Sequence, residues 1–362
     1  MNIFRCDSCE QVVFFESVKC TRCGHALAFL PDSNVVSALE PEGDSGGGRW
    51  RALSAAAAGR SYRFCRNSTE HEVCNWAVSV DDGDDYCRSC RLNHMIPNLA
   101  TAGAKEAWHR MEIAKRRLLY TLLGLGLPVE TKAENPERGL AFDFLADGAD
   151  SKVFTGHDEG LITINLAEAD DPFREKMRVY LGETYRTVLG HFRHESGHYY
   201  WARLVAGGAH LRRFRALFGD EREDYAWAQE RHYQRGAPDG WWDRYVSAYA
   251  TMHPWEDWAE TWAHYLHIVD GLQTARAHGL SLRPTPADGA PGPSLTARRL
   301  DLHSFDDLMN GWIPVTVALN SMNRSFGTPD PYPFVLAPAA TEKLRFVHGV
   351  VEAHADAPVT SR

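Results

Sequence analysis

The chain lacks both a long apolar run and an excess of positive charge. Of its 362 residues 24% are charged, and 48 Asp and Glu outnumber 39 Lys and Arg, which gives a formal net charge of −9. A transmembrane helix needs about 20 consecutive apolar residues, and the sequence contains no such run. A surface that follows nucleic-acid phosphates is basic, whereas this chain is acidic. We therefore expect a soluble protein without a membrane partner.

The chain also lacks the opening of a secretory signal peptide. Its first six residues are Met-Asn-Ile-Phe-Arg-Cys, so a cysteine appears before an apolar core can form. We expect a cytoplasmic location, where thiols stay reduced. With 44% hydrophobic residues the chain can bury a catalytic core and still hold smaller modules, which predicts two or three domains.

Cysteine is absent after residue 90, and the eight cysteines before it form two groups of four. The first group consists of two CxxC pairs that are separated by ten residues: Cys6, Cys9, Cys20 and Cys23. Each CxxC turn directs two thiolates at one ion, as in zinc ribbons. We interpret this group as a structural zinc site. Disulfide bonds are the less favoured alternative, because paired CxxC spacing in a reducing cell favours a metal.

The second group has one tight pair and two more widely spaced cysteines: Cys65, Cys74, Cys87 and Cys90. We predict a second structural zinc ion that is held by all four thiolates. Replacement of one cysteine ligand by His71 or His94 is the alternative.

The first 91 residues carry ten Lys and Arg against thirteen Asp and Glu. This balance argues against nucleic-acid binding by the zinc modules, unless a small patch such as Arg60, Arg63 and Arg66 acts alone. We expect these modules to contact a protein partner or to pack on the catalytic domain.

The segment His194-Glu195-Ser196-Gly197-His198 has the HExxH pattern of a zinc hydrolase. On a helix the two imidazoles share one face and can bind one Zn²⁺, while Glu195 can accept a proton from a water molecule at the open position. Gly197 is expected to leave room beside the metal. The pattern predicts metal-assisted hydrolysis, most simply of a peptide bond.

A catalytic zinc ion needs a third protein ligand, and a predicted helix that starts at Pro254 offers two carboxylates. Glu256 and Glu260 lie one helical turn apart. One of them can bind zinc while the other fixes a ligand histidine through its second ring nitrogen. The residues alone leave the choice between these two open.

At these positions the chain resembles the gluzincins, metallopeptidases whose zinc ligands are the two HExxH histidines and a later glutamate. The run Glu256-Asp-Trp-Ala-Glu260 is similar to the ExxAE run of anthrax lethal factor and related peptidases. This resemblance implies that Glu256 is the ligand, that Tyr249 stabilises the oxyanion and that Glu260 supports a ligand, with Glu260 as the alternative ligand. The ligand set is then complete without the nearby histidines, which are His253, His264 and His267.

The whole chain resembles the bacterial zinc-binding metallopeptidases that carry an N-terminal zinc ribbon. The similarity lies in the early cysteine pairs, in residues 190–201 and in residues 256–267. It implies an α+β fold in which a zincin-like metallopeptidase domain, mostly helical with a small sheet, follows two small four-cysteine modules of the zinc-ribbon type. The resemblance indicates no substrate.

Turn-forming residues and changes of pattern divide the chain into five segments. We predict a zinc ribbon (1–39), a linker (40–60) that includes a flexible joint at 40–48, a second four-cysteine zinc module (61–98), a zincin-like domain (99–340) and a C-terminal helix with a tail (341–362).

Within the zincin-like domain, apolar spacing predicts further elements. A first helix from about residue 103 should stop before Pro128, and residues 140–145 and 160–166 should be strands. The resemblance to zincins implies that 160–166 borders the cleft and pairs with an extended substrate.

The remaining elements are predicted from residue 171 onward. Asp171-Pro172 should begin a helix that continues towards His194. Residues 202–245 are expected to be a loop-rich insertion that shapes specificity, and 279–297 a surface loop. Final helices are predicted near 299–322 and 339–354.

These observations predict a zinc metallopeptidase with three zinc ions, one catalytic and two structural. Its partners would be a peptide or protein substrate and a protein that contacts the zinc modules. Two alternatives remain open: a zinc-ribbon scaffold that binds protein without cleaving it, and a zinc hydrolase of a non-peptide amide.

Overall fold

The computed structural model describes residues 1–43, 48–148, 151–180, 183–285, 289 and 294–355. It has the mixed α+β composition that the sequence predicts. The helices are α1 (Arg66–Thr69), α2 (Ala104–Gly124), α3 (Asp171–Tyr180), α4 (Val188–Leu204), α5 (Leu211–Phe218), α6 (Tyr225–Arg235), α7 (Pro254–Ala277), α8 (Phe305–Ser325) and α9 (Pro338–Ala355). The strands are β1 (Phe4–Arg5), β2 (Val12–Val13), β3 (Ala26–Leu30), β4 (Val35–Pro41), β5 (Trp50–Ala52), β6 (Ser61–Phe64), β7 (Ala77–Ser79), β8 (Asn93–Met95), β9 (Ala141–Leu145), β10 (Gly156–Asp158), β11 (Leu161–Asn165), β12 (Ser281–Leu282) and β13 (Leu295–Thr296).

The chain forms two compact units. The first, here called the ribbon unit, contains Ile3–Gly124 and Pro128–Arg174. The second, here called the helical unit, contains Met1–Asn2, Leu125–Leu127 and Glu175–Arg362. The division therefore falls inside the segment 99–340 that the sequence predicts as one zincin-like domain.

A five-stranded antiparallel sheet in the order β3-β4-β5-β6-β7 organises the start of the ribbon unit. Its buried face includes Leu30, Leu39 and Tyr62, which pack into one apolar cluster. Strand β5 and a short 3-10 helix at Ala55–Ala57 lie within the segment 40–60 that is predicted as a linker. Residues 44–47 of the predicted flexible joint lie outside the described residues. The sheet thus connects the chain that follows the first cysteine group to the chain around the second.

A second sheet of the ribbon unit has the order β10-β11-β9-β8 and confirms both predicted strands. The expectation that a substrate pairs with residues 160–166 is wrong, because β11 pairs with β10 on one side and with β9 on the other. The segment before β11 folds back as a hairpin strand, and the Gly160 amide donates to Nε2 of His157 at 2.9 Å. Both edges of β11 are therefore paired within the protein.

Helix α2 confirms the predicted start of a helix near residue 103. Trp108, Met111, Leu118 and Leu122 recur at helical spacing and are fully buried. Burying them removes apolar surface from water, which stabilises the ribbon unit.

The helical unit is built around α4 and α7. Helix α4 does not continue from α3, because Thr187 has extended backbone and its Oγ1 accepts a hydrogen bond from the Gly190 amide at 3.0 Å. Residues 181–182, which follow α3, lie outside the described residues. Helix α7 begins at Pro254, as predicted, with Glu256 and Asp257 in its first turn.

The segment 202–245 is less loop-rich than expected, because it contains α5 and α6. Phe214 and Phe218 lie one turn apart and bury the inner face of α5. Asp224 caps α6 by accepting a hydrogen bond from the Trp227 amide at 2.9 Å. The mixed charges of this segment conceal these two amphipathic helices.

The last elements agree with the sequence. Helix α8 covers most of the segment predicted at 299–322, and α9 covers the segment predicted at 339–354. Strands β12 and β13 pair within the predicted surface loop at 279–297, parts of which lie outside the described residues, as does the tail after residue 355. No helix in the described part of the chain is long and apolar enough to cross a membrane.

Candidate metal centres

Helices α4 and α7 approach each other closely at Gly197. A Cβ atom at this position would lie 2.9 Å from the Ala259 Cα and 3.2 Å from the Trp262 Cδ1. The indole N–H groups of α7 reinforce the contact, since Trp258 donates to the Gly197 carbonyl at 2.8 Å and Trp262 to Ser196 Oγ at 3.1 Å. Gly197 therefore serves helix packing, rather than leaving room beside a metal as the sequence suggests.

This packing brings together His194, His198 and Glu256, which we call the His-Glu site. Their ligand atoms all lie within 4.8 Å of one another. His194 Nε2 is 3.0 Å from Glu256 Oε2, and His198 Nε2 is 3.5 Å from Glu256 Oε1. In a tetrahedral zinc site with bonds of about 2.0–2.1 Å, neighbouring ligand atoms are about 3.3 Å apart. The separations fit one zinc ion.

Glu260 lies behind His194 and fixes its ring. Its Oε1 accepts a hydrogen bond from His194 Nδ1 at 2.7 Å, and its Oε2 accepts one from Ser247 Oγ at 2.6 Å. Because a carboxylate only accepts, this bond places the hydrogen on Nδ1 and leaves Nε2 to face Glu256. The geometry favours Glu256 as the ligand and Glu260 as its support.

The charges at the His-Glu site keep the carboxylate of Glu256 ionised. Burial disfavours the charged forms of His194 and Glu256, but the attraction between these two side chains outweighs the cost of burial. The Glu256 and Glu260 carboxylates raise the pKa of His194 well above its usual value despite desolvation. Against the same desolvation, the charges and hydrogen bonds of His198 and His194 lower the pKa of Glu256 well below its usual value. The carboxylate therefore stays ionised and ready to bind a metal.

Glu195 follows the first histidine on α4 and is 8% exposed. Burial raises its pKa, and the positive charges of His194 and His198 oppose that rise. A carboxylate with raised proton affinity beside the His-Glu site has the property that a general base requires.

Tyr249 lies in a 3-10 helix (Tyr249–Thr251) just before α7, with its ring centroid 6.0 Å from that of His194. Burial and the negative charge of Glu256 raise its pKa well above the usual value, so its hydroxyl remains a hydrogen-bond donor. The structure thus places the proposed oxyanion donor next to the His-Glu site.

Tyr225 belongs to the site although no sequence motif identifies it. It is the first residue of α6, and its hydroxyl donates to Glu256 Oε1 at 3.0 Å. No spacing rule links the two residues, since they are 31 positions apart. The only local signal is the capping Asp224, which predicts that a helix begins here.

The three other histidines near α7 have structural partners. His253 caps α7 through Nδ1, which accepts from the Trp255 amide at 3.1 Å. His264 Nδ1 bonds with the Tyr332 hydroxyl at 2.7 Å, and burial lowers the pKa of His264 to about 4. The ring of His267 packs on Tyr332 with centroids 5.2 Å apart. None of the three belongs to a metal-binding group among the described residues.

The two cysteine groups form two separate clusters in the ribbon unit. Each brings its four Sγ atoms within 4.8 Å of one another, and all eight thiols are free of disulfides. Sulfur pairs are 3.5 Å apart for Cys6 and Cys23 and 3.6 Å apart for Cys74 and Cys87. Zinc–sulfur bonds of about 2.3 Å would separate tetrahedral sulfurs by about 3.8 Å, so both clusters fit zinc.

Histidine does not replace a cysteine in the second cluster. His94 Nδ1 lies 2.8 Å from Asp143 Oδ1, and the ring of His71 packs near Trp108 at 5.7 Å between centroids. The predicted alternative is therefore not observed, and the cluster consists of four thiols.

Comparisons with known proteins agree with these centres. A family model described as "Putative zinc-binding metallo-peptidase" matches residues 104–350, and a zinc-ribbon domain model matches residues 3–101. An uncharacterized protein of Mycobacterium tuberculosis is 43% identical over 354 residues, which cover 97% of this chain and 96% of the relative. An uncharacterized protein of Mycobacterium bovis has the same identity and coverage. No solved structure matches this chain.

Proposed function

Because the chain belongs to this family of zinc-binding metallopeptidases and carries an N-terminal zinc-ribbon domain, we propose that it hydrolyses peptide bonds at the His-Glu site. The convergence of two imidazole Nε2 atoms and one carboxylate at near-tetrahedral separations carries this proposal. Three protein ligands leave the fourth position open, as catalytic zinc sites require.

A zinc ion at this site would lower the pKa of a water molecule to about 7 and polarise the scissile carbonyl. Glu195 then accepts the proton of the attacking water at its carboxylate and returns it to the leaving amine. Its raised pKa supports this role. The Tyr249 hydroxyl donates to the oxyanion that develops on the substrate carbonyl.

Glu260 and Ser247 act through His194. The carboxylate holds the Nδ1 hydrogen, and the Ser247 hydroxyl holds the carboxylate. This chain of bonds would keep the Nε2 lone pair of His194 directed at a bound ion and would raise the basicity of this ligand. This arrangement supports our proposal of a gluzincin ligand pattern, with Glu256 as the third ligand.

We further propose two structural zinc ions in the cysteine clusters, which gives three ions per chain. Eight free thiols in two compact groups support this count and a reducing, cytoplasmic location. Closed sites of four cysteine ligands have no open position for water, so their role would be to stabilise the ribbon unit. The ribbon unit would present a surface to a protein partner.

The proposal is tested by metal analysis and by cleavage of a broad peptide library with the wild type and Glu195→Gln. We expect about three zinc ions in both proteins and a loss of cleavage of at least about 100-fold in the variant, within the range for lost general-base catalysis. Glu230→Gln on α6, a change of the same chemistry away from α4, is the matched control and should cleave normally.

Each alternative gives a different result in this experiment. A non-cleaving scaffold would show no cleavage by the wild type, and a hydrolase of another amide would cleave only non-peptide amides. Equal cleavage by the wild type and Glu195→Gln would refute the mechanism.

A further inference from the structure

Tyr225 contacts the carboxylate of the proposed third zinc ligand. Its hydroxyl donates to Glu256 Oε1 at 3.0 Å, while Oε2 of the same carboxylate faces His194 Nε2 at 3.0 Å. Oε1 also lies 3.5 Å from His198 Nε2. Both oxygens of Glu256 therefore face an imidazole, but the one that accepts from the phenol is Oε1. A phenol that donates to one oxygen reduces the electron density that this oxygen can offer to a metal.

The position of Tyr225 is fixed by a second contact between the same two segments. Because His253 Nδ1 accepts from the Trp255 amide, its Nε2 carries the hydrogen and donates to the Glu223 carbonyl at 3.2 Å. This bond ties the residue two positions before Tyr225 to the first turn of α7. The rings of Tyr225 and His253 also pack edge to face, with centroids 5.3 Å apart.

The start of α6 is thus held against the start of α7, where Glu256 lies. Asp224 caps α6, and Tyr225 follows as its first residue. The direction of the phenol therefore depends on the hydrogen bonds to the main chain at the starts of α6 and α7. Such support is what a metal site needs to hold a ligand within a few tenths of an ångström.

We propose that Tyr225 is a positioning residue that fixes Glu256 as a single-oxygen zinc ligand and thereby sets the zinc affinity of the His-Glu site. Binding through Oε2 alone leaves two imidazoles, one oxygen and an open fourth position. Binding through both oxygens would add a ligand and crowd the place of the attacking water. This inference rests on the ligand set of the proposed function.

The test compares the zinc affinity of the wild type and Tyr225→Phe by competition with a chelator. Phenylalanine keeps the ring and removes only the hydroxyl. We expect zinc at the His-Glu site to bind about 10- to 100-fold more weakly in the variant, the range for lost supporting contacts. The two zinc ions in the cysteine clusters should be retained at wild-type strength.

Tyr233→Phe is the matched control, because Tyr233 lies on the same helix and is 61% exposed. The zinc affinity of Tyr233→Phe should equal that of the wild type. A cooperative thermal unfolding transition in all three proteins, together with retention of the two cysteine-bound zinc ions, separates loss of a ligand contact from loss of the fold.

Cobalt gives a second readout of coordination. After the chelator removes the most weakly bound ion, Co²⁺ loaded in its place should give the strong visible absorption of a four-coordinate site in the wild type. In Tyr225→Phe the second carboxylate oxygen is free to bind, so the absorption should weaken as the coordination number rises.

The outcomes separate this inference from the proposed function. Equal zinc affinity and equal cobalt spectra in the wild type and Tyr225→Phe would overturn the inference while leaving peptidase activity untouched. If Tyr225→Phe shows the expected loss of zinc affinity but the wild type cleaves no peptide, the result supports the inference and removes the proposed function. A wild type that binds no ion besides those in the cysteine clusters would overturn both.

Discussion

Replacing Gly197 by alanine should separate α4 from α7 and weaken zinc binding at the His-Glu site. The added Cβ would lie 2.9 Å from the Ala259 Cα, a backbone atom that cannot rotate away. Nonbonded carbons pack at about 3.5–4.0 Å, so the two helices must move apart by about 0.6–1.1 Å. His194 and His198 lie on one helix and Glu256 on the other, so the separation acts directly on the ligand distances.

The expected effect on stability is smaller than the effect on zinc. Overpacking a core costs about 1–3 kcal/mol, whereas alanine is favoured over glycine inside a helix by about 1 kcal/mol. The net loss of unfolding free energy should therefore be about 0–2 kcal/mol. Zinc ligand distances tolerate changes of only about 0.2 Å, so the zinc affinity should fall by about 10-fold or more.

Urea unfolding and chelator competition measure the two effects separately. Gly349→Ala on α9 is the matched control, because a Cβ there has no neighbouring atom within 4 Å. It should raise stability by up to about 1 kcal/mol and leave zinc affinity unchanged. Wild-type zinc affinity in Gly197→Ala would refute the argument that this glycine sets the distance between the two ligand helices.

Two further predictions concern buried charges in the helical unit. Lys343 donates to Asp257 Oδ2 at 2.5 Å, and Asp257 is fully buried. Lys343→Met should therefore lower the free energy of unfolding in urea by about 3–5 kcal/mol, because it leaves an unpaired carboxylate. A loss below about 1 kcal/mol would contradict this reasoning. His264 has a folded-state pKa of about 4 because of burial, with Arg193 adding to and Glu260 opposing the shift, so the folded state favours neutral imidazole. As the pH falls from about 6.5 to about 4, the unfolded chain takes up the proton first, and stability should fall by up to about 1.4 kcal/mol per pH unit. Denaturation curves across this range should show a smaller slope in His264→Gln, and an unchanged slope would assign the effect to other groups.

Much of the candidate site could be predicted because its signals are local. The CxxC pairs and the HExxH pattern place ligands within one turn of chain, where backbone geometry alone brings them together. The start of α7 was likewise predictable, since Pro254 and the acids that follow it satisfy a helix N-terminus. Helix α2 and strands β9 and β11 follow from apolar periodicity in the same way.

Other features depend on residues that are far apart in the chain. The expectation that residues 160–166 form an open edge fails because periodicity shows that a segment is a strand, but not which strands lie beside it. The helices α5 and α6 were missed because their charged faces hide short apolar stripes that become visible only once they pack on a partner.

The sequence by itself determined the metal-binding residue types, the helix that carries HExxH and the cysteine groups, because those properties follow from hydrogen bonding and spacing over a few residues. Only the tertiary structure decided that Glu256 faces both imidazoles, that Gly197 permits this approach and that Tyr225 holds the carboxylate. These contacts arise from the packing of whole helices, where side chains 31 or more positions apart meet because the core fills without voids.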